Sequence, residues 1–137
     1  FNDLIKKESF FEHAKIFENL YGTLKKPVIK FINEGKDVLF DIDWQGTQQI
    51  KKNKNLNLVT FFILPPNLDV LKKRLLNRHE GQEKLIKERM NKFNEEVSHW
   101  KEYDYIVIND ELSKYRIKDI INKVKKSDLV FRKFFIA

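Results

Sequence analysis

In the stretch VLFDIDWQG, residues 38–46, three apolar residues lead directly into two acids, Asp41 and Asp43. Such a run predicts a buried strand that delivers carboxylates at its C-terminal end, where α/β sheets bind their ligands. Strand alternation would place Asp41 and Asp43 on one face and point Ile42 away from them. The Asp-x-Asp pair is equally compatible with a helix cap or a turn.

On both sides of this stretch, predicted strands alternate with predicted helices. The apolar runs FFEHAKIF (10–17), LVTFFIL (58–64) and YIVIND (105–110) predict further strands, and NLYGT (19–23) a short second piece after the first run. Apolar residues at helical spacing predict a helix at 27–34 that Gly35 ends, and a second after Gly46 through Ile50 and Lys52. Further helices are predicted at 67–76, with Asn67 or Asp69 as its cap, at 82–103 and at 117–124. The apolar tail LVFRKFFIA is expected to pack back on the body. The pattern indicates an α/β fold with a parallel sheet flanked by helices.

Length and composition favour one globular domain. The chain has 137 residues, 42% of them hydrophobic and 12 of them Phe, which excludes a disordered chain. It has no Cys, so disulfides and thiolate metal sites are excluded. No apolar run reaches the roughly 18 to 20 residues of a membrane span, and FNDLIKKESFF lacks the apolar segment of a signal peptide. We therefore expect a cytoplasmic location.

The charge balance favours polyanionic partners without choosing among them. A net charge of +7 suits nucleic acid, nucleotides or an anionic membrane, and it is also what a Lys-rich background would produce. Basic and aromatic residues do not interleave on one strand face, so we expect no nucleic-acid or membrane partner. His13, His79 and His99 are scattered without ligand spacing, and we assign them no metal. Trp44 and Trp100 are interpreted as packing residues.

Seven motifs, in order along the chain, resemble about the C-terminal two-thirds of the bacterial guanylate kinase family: FFEHAKIF, NLYGT, DVLFDIDWQGTQQIKK, FFILPP, LKKRLLNR, IKERM and YDYIVIND. The resemblance implies the P-loop nucleoside monophosphate kinase fold, transfer of the γ-phosphoryl of ATP to GMP, Mg²⁺ as cofactor, and a monomer or homodimer. It also implies a division of the chain into the remainder of a GMP-binding subdomain (1–25), a core (26–73 and 103–137), and a lid with its adjoining long helix (74–102).

The same resemblance assigns roles to the acids and hydroxyls. Glu12 matches the carboxylate that accepts hydrogen bonds from guanine N1–H and N2–H₂. Tyr21 and Thr23 match a phosphate-binding and a base-contacting hydroxyl, and Asp43 matches a second acid near the guanine amino group. Asp41 matches the strand-end carboxylate that holds Mg²⁺.

The basic residues Arg74, Arg78 and Arg89 match catalytic lid and core arginines that close on the phosphates. Phosphoryl transfer depends on positioning and on charge neutralisation, which planar guanidinium groups provide. Arg78 and Asn109 match positions near ATP. Solvated helix arginines remain the alternative for all three, and an internal ion pair is a further alternative for Arg74.

The sequence departs from the family pattern in two places. His79 stands where the lid usually has a Gly, which would stiffen or shift the lid hinge. No GxxxxGK[ST] loop occurs in these 137 residues, and neither does the arginine-bearing segment that binds the GMP phosphate. In the family, the strand before that loop lies between the counterparts of residues 38–43 and 58–64.

Without that strand, we expect two unpaired strand edges. We therefore expect the isolated chain to fold poorly and not to phosphorylate GMP. A non-catalytic guanylate-kinase-like binding module is the alternative function.

Overall fold

A computed structural model describes residues 1–16, 18–110 and 133–136. Its elements in chain order are α1 (Asn2–Lys6), β1 (Phe10–Ile16), β2 (Asn19–Leu24), α2 (Lys25–Asn33), β3 (Val38–Asp41), α3 (Trp44–Lys51), β4 (Phe61–Leu64), α4 (Leu68–Arg78), α5 (Glu83–Ser98), a 3-10 turn (Trp100–Glu102), β5 (Tyr105–Ile108) and β6 (Lys133–Ile136). Two sheets result: an antiparallel pair β1-β2 and a parallel sheet in the order β3-β6-β4-β5. The predicted combination of helices and strands with a parallel sheet is confirmed. Within these ranges, no helix combines the length and the apolar character that a bilayer span requires.

The antiparallel pair forms where the sequence predicts it. Phe10, Phe11 and Ala14 of β1 are buried, and β2 pairs back on β1 with a register irregularity between Phe10 and Glu12. A Cβ at Gly22 would lie 2.9 Å from the Phe10 ring, so a larger residue in β2 would push this ring aside. The close approach of the two strands therefore depends on a glycine.

Within residues 38–46, the strand ends and the helix begins earlier than predicted. β3 ends at Asp41, and Asp43 is the N-cap of α3, its carboxylate accepting a hydrogen bond from the Gly46 N–H. The prediction that Asp43 continues the strand is wrong, and the helix-cap alternative is right for this residue. The helix begins at Trp44, not after Gly46 as predicted, because an Asp side chain at the N-cap satisfies an otherwise unpaired amide of the first turn.

The core beneath the parallel sheet is formed by Phe11, Val28, Phe40 and Ile50. These side chains come from β1, α2, β3 and α3, so the antiparallel pair and the parallel sheet share one apolar cluster. Burial of these large apolar groups is the main force that holds the two sheets together.

β4 is shorter than the predicted strand and starts at Phe61. Just before it, Thr60 is fully buried, and both its N–H and its hydroxyl donate to Asp104 Oδ2 at 2.8 Å. The Thr60 amide therefore bonds to a side chain instead of a neighbouring strand. This contact also fixes the start of β5, because the Asp104 N–H donates back to Thr60 Oγ1.

The helices α4 and α5 confirm two of the predicted spans, with one correction. Asn67 caps α4 through a bond from the Val70 N–H, as expected from its position. The long helix ends at Ser98, and the predicted continuation to Tyr103 is wrong, because the chain tightens into the 3-10 turn. His79 follows α4 with a φ of −127°, whereas the left-handed conformation of this connection falls on Gly81, with a φ of 76°. Glycine tolerates that conformation without strain.

The apolar tail supplies the strand at the centre of the parallel sheet. β6 pairs with β3 along four residues, from Val38↔Lys133 to Asp41↔Ile136, but with β4 at the single pair Phe61↔Ile136. The predicted unpaired edge is therefore wrong for β3, which pairs with β6 along its whole length, and for β4 it is wrong at Phe61. The predicted helix at 117–124 lies outside the described residues.

Candidate active site

One cavity of 590 Å³ gathers most of the residues predicted to bind or act on substrate. Its volume lies within the usual range of ligand-binding pockets. The predicted residues in its lining are Glu12, Tyr21, Thr23, Asp41, Asp43, Arg78 and Arg89. They come from both sheets and from α4 and α5, so the site depends on how these parts pack together.

The carboxylate of Glu12 is held inside the cavity wall by a partner on the opposite strand. Glu12 is 3% exposed, and Thr23, which faces it across the β1-β2 pair, donates from Oγ1 to Glu12 Oε1 at 2.5 Å. A buried carboxylate has several acceptor sites, and removing it from water is costly unless donors occupy them. Glu12 is therefore suited to bind a ligand that brings neighbouring N–H donors.

Asp43 is fixed by α3 and approached by a cation from α5. Its Oδ1 accepts from the Gly46 N–H at 3.0 Å, and its Oδ2 accepts from Gln45 Nε2 at 3.2 Å. Lys92 Nζ lies 3.9 Å from Asp43 Oδ2 and 3.7 Å from Glu96 Oε1. The lysine partly offsets the negative charge of this side of the cavity.

Glu96 is an acid of the cavity lining that the sequence reasoning missed. Burial raises the pKa of Glu96, with Asp43 adding to the rise and Lys92 opposing it. The one signal in the sequence is the i,i+4 spacing of Lys92 and Glu96 on a predicted helix. That spacing occurs on many solvated helices, so it does not by itself indicate a site.

Trp44 packs as predicted, and it also lines the cavity. Its ring stacks on His99 with centroids 3.8 Å apart and planes 8° apart. His99 Nδ1 in turn lies 2.5 Å from Glu102 Oε1, and this hydrogen bond, together with one from Gln48, lowers the pKa of Glu102. The stack joins the start of α3 to the end of α5.

A second cavity of 550 Å³ adjoins α4 and contains the remaining predicted residues, Arg74 and Asn109. Arg74 Nη2 donates to the carbonyl oxygens of Asn109 at 2.9 Å and Asp110 at 3.0 Å. These are backbone bonds, so the described partners of Arg74 differ from the internal ion pair considered as its alternative. Arg78 lines both cavities, which makes it the predicted residue shared by the two.

Asp41, in the lining of the first cavity, is the residue that best fits a magnesium ion. It ends β3 and lines the cavity, and Mg²⁺ prefers oxygen ligands supplied by one or two carboxylates, waters and substrate phosphates. Within the part of the chain that the structure describes, no three His, Asp or Glu residues cluster as a metal site. A single strand-end carboxylate is compatible with a metal that arrives together with a nucleotide.

Comparison with known proteins identifies the family. The guanylate kinase family model matches residues 1–126. Among curated relatives, guanylate kinase from Paramagnetospirillum magneticum is 47% identical over 83% of this chain, and that from Rickettsia prowazekii is 45% identical over 98% of it. The crystal structure of guanylate kinase from Anaplasma phagocytophilum superposes with a TM-score of 0.74 at 25% identity, covering 95% of this chain.

These matches span only part of the related proteins. The aligned region is 53% of the Paramagnetospirillum magneticum protein, 68% of the Rickettsia prowazekii protein and 61% of the Anaplasma phagocytophilum chain. The family model nevertheless matches nearly the whole of this chain. The chain therefore belongs to the guanylate kinase family.

Proposed function

We propose that this chain forms the GMP-binding side, the lid and part of the core of an enzyme that transfers the γ-phosphoryl of ATP to GMP, giving GDP and ADP. The observation that carries the proposal is the single cavity in which a buried Glu12 lies together with Arg78 and Arg89. A buried acceptor beside two guanidinium groups matches a ligand that has N–H donors at one end and phosphate at the other.

The base is read by acceptors. Glu12 accepts from guanine N1–H and N2–H₂, Thr23 orients the carboxylate and contacts the base, and Asp43 faces the guanine amino group. Adenine has an unprotonated N1 in the corresponding place, so it would offer the buried Glu12 carboxylate no N–H donor there, and Thr23 would remain its donor. A site built around such polar groups rejects the wrong base strongly, because the unpaired groups stay buried.

The phosphates are bound by the basic residues and by Tyr21. Arg78 lines both cavities, so it can contact phosphate oxygens of both nucleotides, while Arg89 neutralises charge on the group that is transferred. Arg74 shapes the ATP side by holding the backbone at Asn109. A Mg²⁺ held by Asp41 would neutralise and orient the phosphate oxygens.

The finer organisation follows from the same assignment. Residues 1–25 belong to the GMP-binding subdomain, residues 26–73 and 103–137 to the core, and residues 74–102 to the lid and its adjoining helix. The enzyme is cytoplasmic, binds GMP and ATP as its substrates, and acts as a monomer or homodimer without nucleic acid.

Binding of nucleotides tests the base assignment directly. In titration calorimetry, we expect GMP to bind more tightly than AMP, and Glu12→Gln to weaken GMP binding by about tenfold or more, since a buried charged hydrogen bond is lost. Glu18→Gln is the matched control, because the Glu18 side chain is 94% exposed. Equal affinity for GMP and AMP would contradict the proposal, as would unchanged GMP binding by Glu12→Gln.

Turnover by the isolated 137 residues is a separate question. These residues contain no GxxxxGK[ST] loop, whose backbone N–H groups and Lys hold the β- and γ-phosphates of ATP in P-loop enzymes. We therefore expect no ADP release in a coupled assay with GMP, ATP and Mg²⁺. Turnover comparable to that of a complete guanylate kinase would show that this expectation is wrong.

A further inference from the structure

Gly46 lies at a point where the carboxylates of Glu12 and Asp43 both touch α3. Its backbone N–H donates to Asp43 Oδ1 at 3.0 Å. A Cβ at this position would lie 2.9 Å from Glu12 Oε2, so the carboxylate would have to shift, and 3.2 Å from Ile42 Cβ, which is a tight contact. The φ of Gly46 is not in the left-handed region, so the backbone itself does not require a glycine. A side chain at this position would therefore displace the Glu12 carboxylate.

Gln49, one turn further along α3, holds the strand that carries Glu12. Gln49 Nε2 donates to the His13 carbonyl at 2.7 Å, and Gln49 Oε1 accepts from the His13 N–H at 3.1 Å. The amide thus pairs with both backbone groups of the residue next to Glu12, much as a neighbouring strand would. This pairing fixes β1 against α3 at the position of the acid.

We propose that Gly46 and Gln49 are positioning residues that set the separation of the Glu12 and Asp43 carboxylates, and with it the preference for guanine over adenine. The inference rests on the proposed function, because it concerns how the same cavity reads its base. Glu12 belongs to β1 and Asp43 is the N-cap of α3. Through Gly46, α3 lies against both carboxylates, and through Gln49 it holds the strand that carries Glu12. A small shift of either acid would misplace its acceptors relative to the base donors.

Affinity measurements on the full chain test the proposal. We expect Gly46→Ala and Gln49→Ala to reduce the ratio of GMP to AMP affinity by about tenfold, the effect of one badly placed charged hydrogen bond. Gln48→Ala is the matched control, since this neighbouring residue on the same helix bonds to the exposed Glu102. It should leave the ratio unchanged. Loss of thermal stability without a change in the ratio would overturn the positioning role.

A melting cycle tests the contact without any nucleotide. In a Glu12→Ala background the carboxylate contact is gone, while the close contact with Ile42 and the higher helix propensity of Ala are the same in both backgrounds. Gly46→Ala should therefore change the melting temperature more favourably in the Glu12→Ala background than with Glu12 present. Equal shifts in the two backgrounds would show that Gly46 and Glu12 are uncoupled, and would overturn the inference even if GMP is preferred.

The two experiments separate the two proposals. A parent chain that does not prefer GMP would refute the proposed function, while coupling in the melting cycle would still establish that Gly46 positions Glu12. A parent chain that prefers GMP, with Gly46→Ala and Gln49→Ala retaining that preference, would refute the positioning role alone.

Discussion

The two sheets of this protein are held together in different ways. β1 and β2 are near neighbours in sequence and pair along almost their whole length, and Gln49 adds two side-chain bonds to β1. In the parallel sheet, β6 comes from the far end of the chain and meets β4 at one residue pair. The antiparallel pair is thus formed by strands that are close in sequence, whereas the parallel sheet depends on pairing between distant segments.

The largest loss of stability is expected from Phe135→Pro, which tests whether β6 holds the parallel sheet together. Phe135 pairs with Phe40 in the middle of β6, and proline there removes a ladder donor from a central strand. We expect a loss of about 3 kcal/mol or more in the free energy of unfolding, or the loss of a cooperative transition, measured by chemical denaturation.

Phe135→Val is the control for this prediction, because it keeps the backbone N–H and suits a strand. It should be much less destabilising than the proline. Equal stability of Phe135→Pro and the parent would show that β6 does not hold β3 and β4 together.

Asp104→Ala tests the junction of β4 and β5, which pair along four residues of the parallel sheet. It would leave the N–H and hydroxyl of the fully buried Thr60 without their carboxylate acceptor. We expect unfolding to become easier by about 2 kcal/mol, the cost of buried donors without partners. Asp104→Asn keeps an acceptor oxygen and should lose less. If both substitutions cost the same, the carboxylate bonds do not determine how β4 and β5 are joined.

Arg74→Met removes an arginine that bonds to the backbone, and Arg78→Met removes an exposed arginine of the same helix. Arg74 donates to two backbone carbonyls, so we expect a loss of about 1 kcal/mol in thermal or chemical unfolding. Arg78→Met is the control, since Arg78 is exposed and its loss should change stability by less than about 0.5 kcal/mol. The opposite order would show that the bonds from Arg74 to the two carbonyls do not stabilise the fold.

The smallest effect concerns the pH dependence contributed by Glu96. Burial raises its pKa above 4.5, so the folded state favours the neutral acid; this stabilisation is present below pH 4.5 and is lost as the pH rises through the folded-state pKa. Glu96→Gln should therefore gain stability relative to the parent as the pH rises from below 4.5 to neutral.

With 40% of the Glu96 side chain exposed, solvent screening limits this gain to about a few tenths of a kcal/mol. Denaturation curves at several pH values measure it, and Glu88→Gln, a change at an exposed acid of the same helix, serves as the control. A relative loss of stability at neutral pH would show that the attraction of Lys92 outweighs burial.

Much of the fold could be predicted because its signals are local. The apolar runs of β1, β4 and β5, the cap at Asn67 and the end of α2 near Gly35 each depend on residues close in sequence. Strand-end placement pointed to Asp41 and Asp43, and the resemblance to the guanylate kinase family pointed to the other predicted residues of the first cavity. Among the predicted elements, boundaries shifted, as at Thr60 and Ser98.

Local patterns and the family resemblance predicted the helices and strands from β1 to β5 and the acids and arginines that are candidates for binding. Packing of the whole chain joined Arg74 to backbone carbonyls, brought Glu96 into the cavity lining and placed β6 between β3 and β4. These outcomes depend on contacts between residues far apart in the chain. Periodicity and local propensity carry no information on which distant partner satisfies a given donor or strand edge, so such contacts are fixed only when the whole chain packs.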